Sequence, residues 1–318
     1  MRLLFIGTSP FAVPSLEALI ASHHDVVAVV TQPDRPRGRG KQMRASLVKD
    51  VALAHSIPLL QPERIGSADS AQRIRGLGAM GAMIVVAYGQ KITPELLELP
   101  QHGVINVHGS ILPKYRGAAP IQHAIIAGET HTGVTTMLMD EGWDTGDILL
   151  QESVEIHPNE TAGGLEERLA LLGARLLVRT CEGVEDGTIA PIPQDDELAT
   201  LAPSLKPDAG AIDWSRTASD LVNLIRGCTP RPGAFTRLHG VQLKIWGAAV
   251  QDWTQNLGKP GQIVAAADDG LVVAAGGGSV RITEVQPESR KRMSAADYAR
   301  GVKIAPGDLF DARFEMPH

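Results

Sequence analysis

The sequence predicts an α/β fold, in which a Rossmann-like, mostly parallel sheet with helices is followed by a small C-terminal β-barrel. Strand patterns alternate with helical patterns through the N-terminal part of the chain, as they do in βαβ units. Beyond residue 207 the pattern changes to short β runs separated by turn residues. The length of 318 residues is sufficient for two domains. We expect an N-terminal domain over residues 1–189, a linker over 190–207 rich in proline and acidic residues, and a C-terminal domain over 208–318.

The individual elements follow from hydrophobic patterning in chain order. Apolar and β-branched runs predict N-terminal strands over residues 2–7, 25–30, 58–60, 83–87, 104–107, 132–139 and 147–156. Apolar residues at helical spacing predict helices over residues 14–21, 48–55, 70–76, 94–99, 161–185 and 218–226. The C-terminal β runs cover residues 234–238, 243–250, 261–265, 271–275 and 280–285. The glycines at 276–278 predict a hairpin turn between the last two of these runs.

Several kinds of protein are disfavoured by the sequence. The turn over residues 7–11 has no G-x-G-x-x-G pattern and no acidic ribose partner, which argues against a nicotinamide-dependent dehydrogenase. Residues 35–42 do not match a phosphate-binding P-loop either. The two cysteines form no C-x-x-C pair and no cluster has the spacing of metal ligands, so we expect no metal. No apolar run approaches the roughly eighteen residues of a membrane span, and we expect a cytoplasmic protein without a signal peptide.

Asn106 and His108 are the first candidate functional residues. They lie two positions apart at the end of an apolar strand pattern, which puts both side chains on one face of the strand. In open α/β sheets, ligands bind where parallel strands end. An asparagine can donate a hydrogen bond to a developing oxyanion, and a histidine can transfer a proton near neutral pH. A polar strand end without a catalytic role is the alternative.

The segment 140–147 (DEGWDTGD) is the second candidate. It holds four carboxylates in eight residues, between two strand patterns. If those strands neighbour the one that ends at His108, Asp144 lies beside the imidazole. Asp144 would then orient the ring and organise a water for proton transfer. The alternative is a solvated acidic turn.

The segment 31–49 is strongly basic, although the whole chain has a net charge of -6. It contains one acid, Asp34, and the six basic residues Arg35, Arg37, Arg39, Lys41, Arg44 and Lys49. Glycine and proline should keep this loop out of a helix, so the basic side chains stay mobile until phosphates order them. A basic loop with no partner is the alternative.

Taken together, the runs 106–113 (NVHGSILP), 115–117 (YRG), 119–120 (AP) and 144–146 (DTG) resemble the signature of the folate-dependent formyltransferases. This resemblance covers essentially the whole chain. It implies that Asn106, His108 and Asp144 are the catalytic trio and that 10-formyltetrahydrofolate is the co-substrate. It further implies that folate is held by the loop Ser110, Ile111, Leu112 and Pro113 and bordered by Tyr88, Gly89, Asp140 and Gly142.

The basic loop indicates which kind of family member this chain resembles. Residues 31–41 are similar to the insertion loop of the members that act on initiator methionyl-tRNA, where Arg35, Arg37, Arg39 and Lys41 would contact the acceptor end. Those members also have a C-terminal barrel that resembles an OB-fold. The resemblance therefore implies formylation of the methionine on initiator tRNA. We expect the protein to act as a monomer. Two alternatives stay open: a formyltransferase for amino-sugar nucleotides, and a non-catalytic folate- or tRNA-binding protein.

Overall fold

The computed structural model describes residues 1–37, 42–254 and 257–311. The chain divides into two compact units. Unit 1 comprises residues 1–117, 132–154 and 166–202, and unit 2 comprises residues 118–131, 155–165 and 203–318. Both units are therefore assembled from separate stretches of the chain.

The main sheet of unit 1 has seven strands. In chain order the first nine strands are β1 (Arg2–Gly7), β2 (Asp25–Val30), β3 (Arg35–Arg37), β4 (Gln42–Arg44), β5 (Leu59–Leu60), β6 (Ala82–Val86), β7 (Val104–His108), β8 (His131–Leu138) and β9 (Ile148–Glu155). The order across the sheet is β5-β2-β1-β6-β7-β8-β9. Neighbours from β5 to β7 pair in parallel, whereas β8 runs antiparallel to β7.

The described residues contain eight α-helices. They are α1 (Val13–Ala21), α2 (Leu47–Ala54), α3 (Ala68–Arg75), α4 (Pro94–Leu97), α5 (Pro120–Ile126), α6 (Ala162–Glu185), α7 (Ala218–Gly227) and α8 (Ala295–Val302). Serine side chains begin two of the unit 1 helices, because Ser46 accepts from the amide of Lys49 and Ser67 from that of Ser70. No helix in the described residues is long and apolar enough to cross a bilayer.

The central strands of unit 1 are buried on both faces. All five residues of β6 and all five of β7 are buried, including the polar Asn106 and His108. A parallel sheet covered by helices on both faces selects such continuous apolar runs. The burial also explains why the strands were visible in the sequence as unbroken hydrophobic stretches.

Unit 2 contains an antiparallel sheet of six strands. They are β10 (Ala234–Leu238), β11 (Val241–Asp252), β12 (Ile263–Ala267), β13 (Gly270–Ala274), β14 (Ser279–Pro287) and β15 (Met293–Ser294). The strand order is β10-β11-β14-β13-β12, with β15 paired to β14. In the core of this unit the fully buried Trp214 stacks on Phe310 at 5.4 Å and donates its indole N–H to Thr236. The glycines at 276–278 join β13 to β14, as predicted.

The predicted fold class is confirmed, since a largely parallel sheet with helices precedes an all-antiparallel sheet. Three features differ from the sequence prediction. The basic segment was expected to be an irregular loop, but its flanks form a hairpin, with Pro36 opposite Met43. Helices α5 and α8 were not predicted, and each is short, with seven and eight residues. The segment 190–202, part of the predicted linker, belongs to unit 1, where Ile192 bridges to Ile148.

Candidate active site

Asn106 and His108 project from the end of β7 towards the same side. Both are nearly buried, with 9% and 6% of their surfaces exposed. Their positions follow from the alternation of side chains along a strand. β7 parallels β6 on one flank and opposes β8 on the other, where His108 lies across from Thr135. The pair therefore sits where the parallel strands of unit 1 end.

Asp144 completes the group from the loop between β8 and β9. Its Oδ2 lies 3.7 Å from Nδ1 of His108, and its Oδ1 lies 3.5 Å from Nδ2 of Asn106. Oδ2 also accepts a hydrogen bond of 2.9 Å from the backbone amide of Gly117. Asp144 has a φ of +55°, a left-handed conformation that few non-glycine residues adopt outside constrained sites. The three predicted catalytic residues are thus brought together.

The hydrogen bonds around His108 constrain its protons. Nε2 lies 3.0 Å from the carbonyl oxygen of Tyr115, which can only accept, so Nε2 must carry a hydrogen. Nδ1 then faces the carboxylate of Asp144. Both ring nitrogens of His108 therefore face protein acceptors, Nε2 the carbonyl of Tyr115 and Nδ1 the carboxylate of Asp144.

The Asp144 loop is fixed by a side chain that the sequence analysis missed. Nε2 of Gln194 donates to the carbonyl of Asp144 at 2.9 Å and to that of Gly146 at 2.7 Å. Within the loop, Asp140 accepts from the Gly142 amide at 2.9 Å and from the Thr145 hydroxyl at 2.7 Å. Gln194 lies in a stretch rich in proline and acidic residues that reads as a linker, and nothing in its local pattern distinguishes it.

The loop predicted to hold folate is rigid rather than open. Ser110 is fully buried and donates its hydroxyl to the carbonyl of Lys114 at 2.7 Å. The amide of Leu112 donates to the Thr135 hydroxyl, which itself donates to the carbonyl of Ser110. Leu112 is also buried, whereas Ile111 and Pro113 are half-buried. Only the two half-buried side chains and the backbone of this loop are presented to a ligand.

The side chain of Tyr88, another predicted folate contact, lies in the core of unit 1. Only 2% of its surface is exposed, and burial raises the pKa of its phenol to about 12. Its carbonyl accepts a hydrogen bond of 2.7 Å from Gln32, and the following Gly89 has a φ of +85°. At this position the backbone, not the phenol, is the surface available to a ligand.

The predicted RNA-binding residues are only partly described. The guanidinium of Arg35 is more than half exposed and lies 3.8 Å from Glu63. Arg37 ends β3, while Arg39 and Lys41 lie outside the described residues. At the base of the hairpin, Asp34 accepts hydrogen bonds from Lys49 and Gln61. Both bonds lower the pKa of the Asp34 carboxyl, the one from Lys49 more strongly.

One group of described residues, His23, His24 and Glu185, could hold a metal ion. The terminal ammonium of Met1 already supplies a cation there, 2.6 Å from Oε1 of Glu185 and 3.2 Å from Nδ1 of His24. The pKa of His24 is lowered, chiefly by burial and then by that ammonium.

Comparison with known proteins identifies the family. Residues 1–181 match the family model described as formyl transferase, and residues 204–303 match the model of its C-terminal domain. The chain belongs to the formyl transferase family. This formyltransferase is 47% identical over 307 residues to the methionyl-tRNA formyltransferase of Geobacter metallireducens, covering 96% of this chain and 97% of the relative. It is 50% identical over 308 residues to the methionyl-tRNA formyltransferase of Solibacter usitatus, covering 97% of this chain and 98% of that relative.

Solved structures share the fold of this formyltransferase at lower identity. An N-formyltransferase from Helicobacter canadensis, in complex with folinic acid and dTDP-3-aminofucose, superimposes with a TM-score of 0.68 at 19% identity, covering 90% of this chain and 99% of that one. The methionyl-tRNA formyltransferase from Clostridium thermocellum superimposes with a TM-score of 0.54 at 15% sequence identity. That superposition covers 79% of this chain and 94% of the other. The family predicted from the sequence motifs is confirmed.

Proposed function

We propose that this formyltransferase transfers the formyl group of 10-formyltetrahydrofolate to the α-amine of methionine on initiator methionyl-tRNA, giving N-formylmethionyl-tRNA for translation initiation. The observation that carries the chemistry is the convergence of Asn106, His108 and Asp144 at one strand end. The acceptor is supported by the full-length relatives at 46–50% identity that are named methionyl-tRNA formyltransferases. The folate co-substrate is supported by the folinic acid in the Helicobacter canadensis complex.

In the proposed reaction the amine nitrogen attacks the formyl carbon, and the resulting tetrahedral intermediate carries an oxyanion. Asn106 donates a hydrogen bond to that oxygen, and the protonated His108 shares its stabilisation. Asp144 keeps the imidazolium in place and, through a water, passes the amine proton to N10 of the departing folate. The bond from the formyl carbon to N10 breaks as the bond to the amine is retained. No acyl-enzyme forms, because the Ser110 hydroxyl is buried and donates its hydrogen to the backbone carbonyl of Lys114.

The co-substrate would lie along the loop from Ser110 to Pro113, against the backbone of Tyr88 and Gly89. On the opposite side it would meet the loop that carries Asp140 and Gly142. The half-buried Ile111 and Pro113 supply apolar contact for a pterin. The internal hydrogen bonds of both loops support a preformed site, since neither needs to reorganise to bind.

The tRNA would contact the basic hairpin through Arg35, Arg37, Arg39 and Lys41, and the C-terminal region 208–318. Exposure of the Arg35 guanidinium supports a phosphate contact at the hairpin. We further propose that the protein acts as a monomer in the cytoplasm, without membrane association.

The test is to offer the purified protein 10-formyltetrahydrofolate with one of two acceptors, initiator methionyl-tRNA or a dTDP-linked amino sugar. Formylmethionyl-tRNA as the only product supports the proposal. Formylation of the sugar alone would replace the proposed acceptor with the one suggested by the Helicobacter canadensis complex. No product with either acceptor would indicate a binding protein and reject the proposed activity.

A further inference from the structure

The segment 194–202 lies directly against the loop that follows the catalytic histidine. The amide of Arg116 donates to the carbonyl of Thr200 at 2.8 Å, and the amide of Ala202 donates back to the carbonyl of Arg116 at 2.7 Å. The hydroxyl of Thr200 also accepts from the amide of Tyr115 at 2.8 Å. Tyr115 is the residue whose carbonyl holds His108. Residues read from the sequence as a linker are therefore part of the wall of the candidate site.

The Gln194 side chain connects this wall to the loop of Asp144. Its Oε1 accepts from Nε and Nη2 of Arg116 at 3.0 and 2.8 Å. Its Nε2 donates to the carbonyls of Asp144 and Gly146. A guanidinium can only donate and a carbonyl can only accept, so the amide can be oriented in one way. Arg116 therefore determines which end of the Gln194 amide faces the Asp144 loop.

The environment of Arg116 makes this orientation stable. The guanidinium is about nine-tenths buried, with 8% of its side chain exposed, and Nη2 also donates to the carboxylate of Asp196 at 2.7 Å. A buried guanidinium has a strong requirement for acceptors. Gln194 and Asp196, which are close in sequence, supply them from the same segment.

We infer that Gln194 is a positioning residue for Asp144 and that Arg116 acts through it. The inference rests on the proposed function, because it takes Asp144 to be catalytic. Gln194 clamps the carbonyls of residues 144 and 146, and this holds Asp144 in its left-handed conformation. In that conformation the carboxylate reaches His108 and the amide of Gly117. Removing the clamp lets the loop relax, so that the carboxylate spends less time at the imidazole.

The first experiment compares Gln194→Glu with wild type under saturating concentrations of both substrates. Glutamate has the same length and still accepts from Arg116, but it offers no N–H to the two carbonyls. We expect kcat to fall about tenfold to a hundredfold, as for a small displacement of a catalytic group, with both KM values within about threefold. Thermal stability should fall somewhat, because one glutamate oxygen keeps its pairing with Arg116 while the other faces the carbonyls of residues 144 and 146, so the native fold is verified by circular dichroism. A wild-type kcat in Gln194→Glu would overturn the inference.

Gln90 provides a matched control in unit 1. Its Nε2 likewise donates to a backbone carbonyl, that of Glu63 at 3.0 Å, and its Oε1 accepts from the amide of Ile65 at 2.9 Å. Gln90→Glu removes the same kind of hydrogen bond from a loop that does not carry Asp144. We expect its kcat to stay within about twofold of wild type. An equal loss of kcat in both variants would mean that the effect is not specific to the Asp144 loop.

The second experiment is a double-mutant cycle that separates positioning from a general structural role. If Gln194 acts through Asp144, adding Gln194→Ala to Asp144→Asn should cost less than about twofold in kcat. Additive losses would reject the inference even if Gln194→Ala alone is slow. The proposed function is tested separately: an inactive wild type refutes that function, whereas an active wild type with an unaffected Gln194→Ala refutes only the positioning role.

Discussion

Nδ1 of His108 faces Oδ2 of Asp144 at 3.7 Å, while the other ring nitrogen is bound by a backbone carbonyl on the opposite side. The imidazole is therefore held between an anion and a dipole that both accept hydrogen. Under the proposed function, this geometry orients the ring beside the reacting carbonyl and leaves the carboxylate of Asp144 to pass a proton through a water.

Gly117→Ala should damage both the fold and the site. Gly117 has a φ of +128°, and an added Cβ would lie 2.6 Å from the carbonyl oxygen of Ala202. The backbone strain alone should lower the free energy of unfolding by about 1–3 kcal/mol, measured by urea denaturation. The rate of formyl transfer should also fall, because the Gly117 amide donates to Asp144.

Gly187→Ala is the control for that substitution. Gly187 also has a positive φ, of +68°, but a Cβ there meets no heavy atom of the described residues within 4 Å. It should therefore lose less stability than Gly117→Ala and keep the wild-type rate of formyl transfer. Equal destabilisation of the two variants would show that the contact with Ala202 is unimportant.

Tyr88→Phe should change stability at alkaline pH more than at neutral pH. The folded state raises the pKa of the phenol from 10.0 to about 12. Below pH 10 the phenol is protonated in both the folded and the unfolded chain, so it adds no pH dependence to the free energy of unfolding. Between the two values the unfolded chain loses the proton and the folded chain keeps it, so stability falls by up to about 1.4 kcal/mol per pH unit. Urea denaturation at about pH 9 and about pH 11 should show that the free energy of unfolding falls less between these two pH values in Tyr88→Phe than in wild type.

At neutral pH the same variant tests where the phenol lies. The Tyr88 hydroxyl has no hydrogen-bond partner among the described residues, and the ring packs in the core of unit 1. Removing an unpartnered buried hydroxyl should leave the free energy of unfolding unchanged or slightly higher. The KM for 10-formyltetrahydrofolate should not change. A marked rise in that KM would mean that the hydroxyl contacts the co-substrate.

Replacing Arg37, Arg39 and Lys41 together by glutamine should weaken tRNA binding in a salt-dependent manner. For each phosphate that is no longer neutralised, the slope of log K against log salt should become shallower by about 0.7–0.9. The measurement is a binding titration at several salt concentrations. The triple replacement of Arg168, Arg175 and Arg179 on α6 removes the same charge elsewhere and should have little effect. Equal weakening by both triples would indicate a general effect of net charge rather than binding by the hairpin.

The strands and the convergence of Asn106, His108 and Asp144 were predictable from the sequence for a common physical reason. Buried parallel strands require unbroken apolar runs, and polar residues that interrupt such a run at its end are conspicuous. Asn106 and His108 are of this kind. The proximity of Asp144 could be predicted only on the condition that its strands were neighbours, and the antiparallel pairing of β7 with β8 meets that condition.

Other features depended on contacts that no local pattern encodes. Gln194 acts through hydrogen bonds to residues about fifty positions away in sequence. Tyr88 follows a strand at the expected sheet edge, yet the direction of its side chain into the core is set by tertiary packing. The hairpin of β3 and β4 pairs two stretches of only three residues, too short for a recognisable alternation. Long-range contacts, rather than periodicity, decided these features.

The most direct test of the catalytic assignment is the single-turnover rate of formyl transfer to initiator methionyl-tRNA, with both substrates saturating. Asn106→Ala and Asp144→Asn should each slow this step by about 100-fold to 1000-fold while retaining the native fold. Glu141→Gln, an exposed carboxylate of the same loop, should react at the wild-type rate. A wild-type rate in a correctly folded Asn106→Ala or Asp144→Asn variant would contradict the assignment of that residue to catalysis.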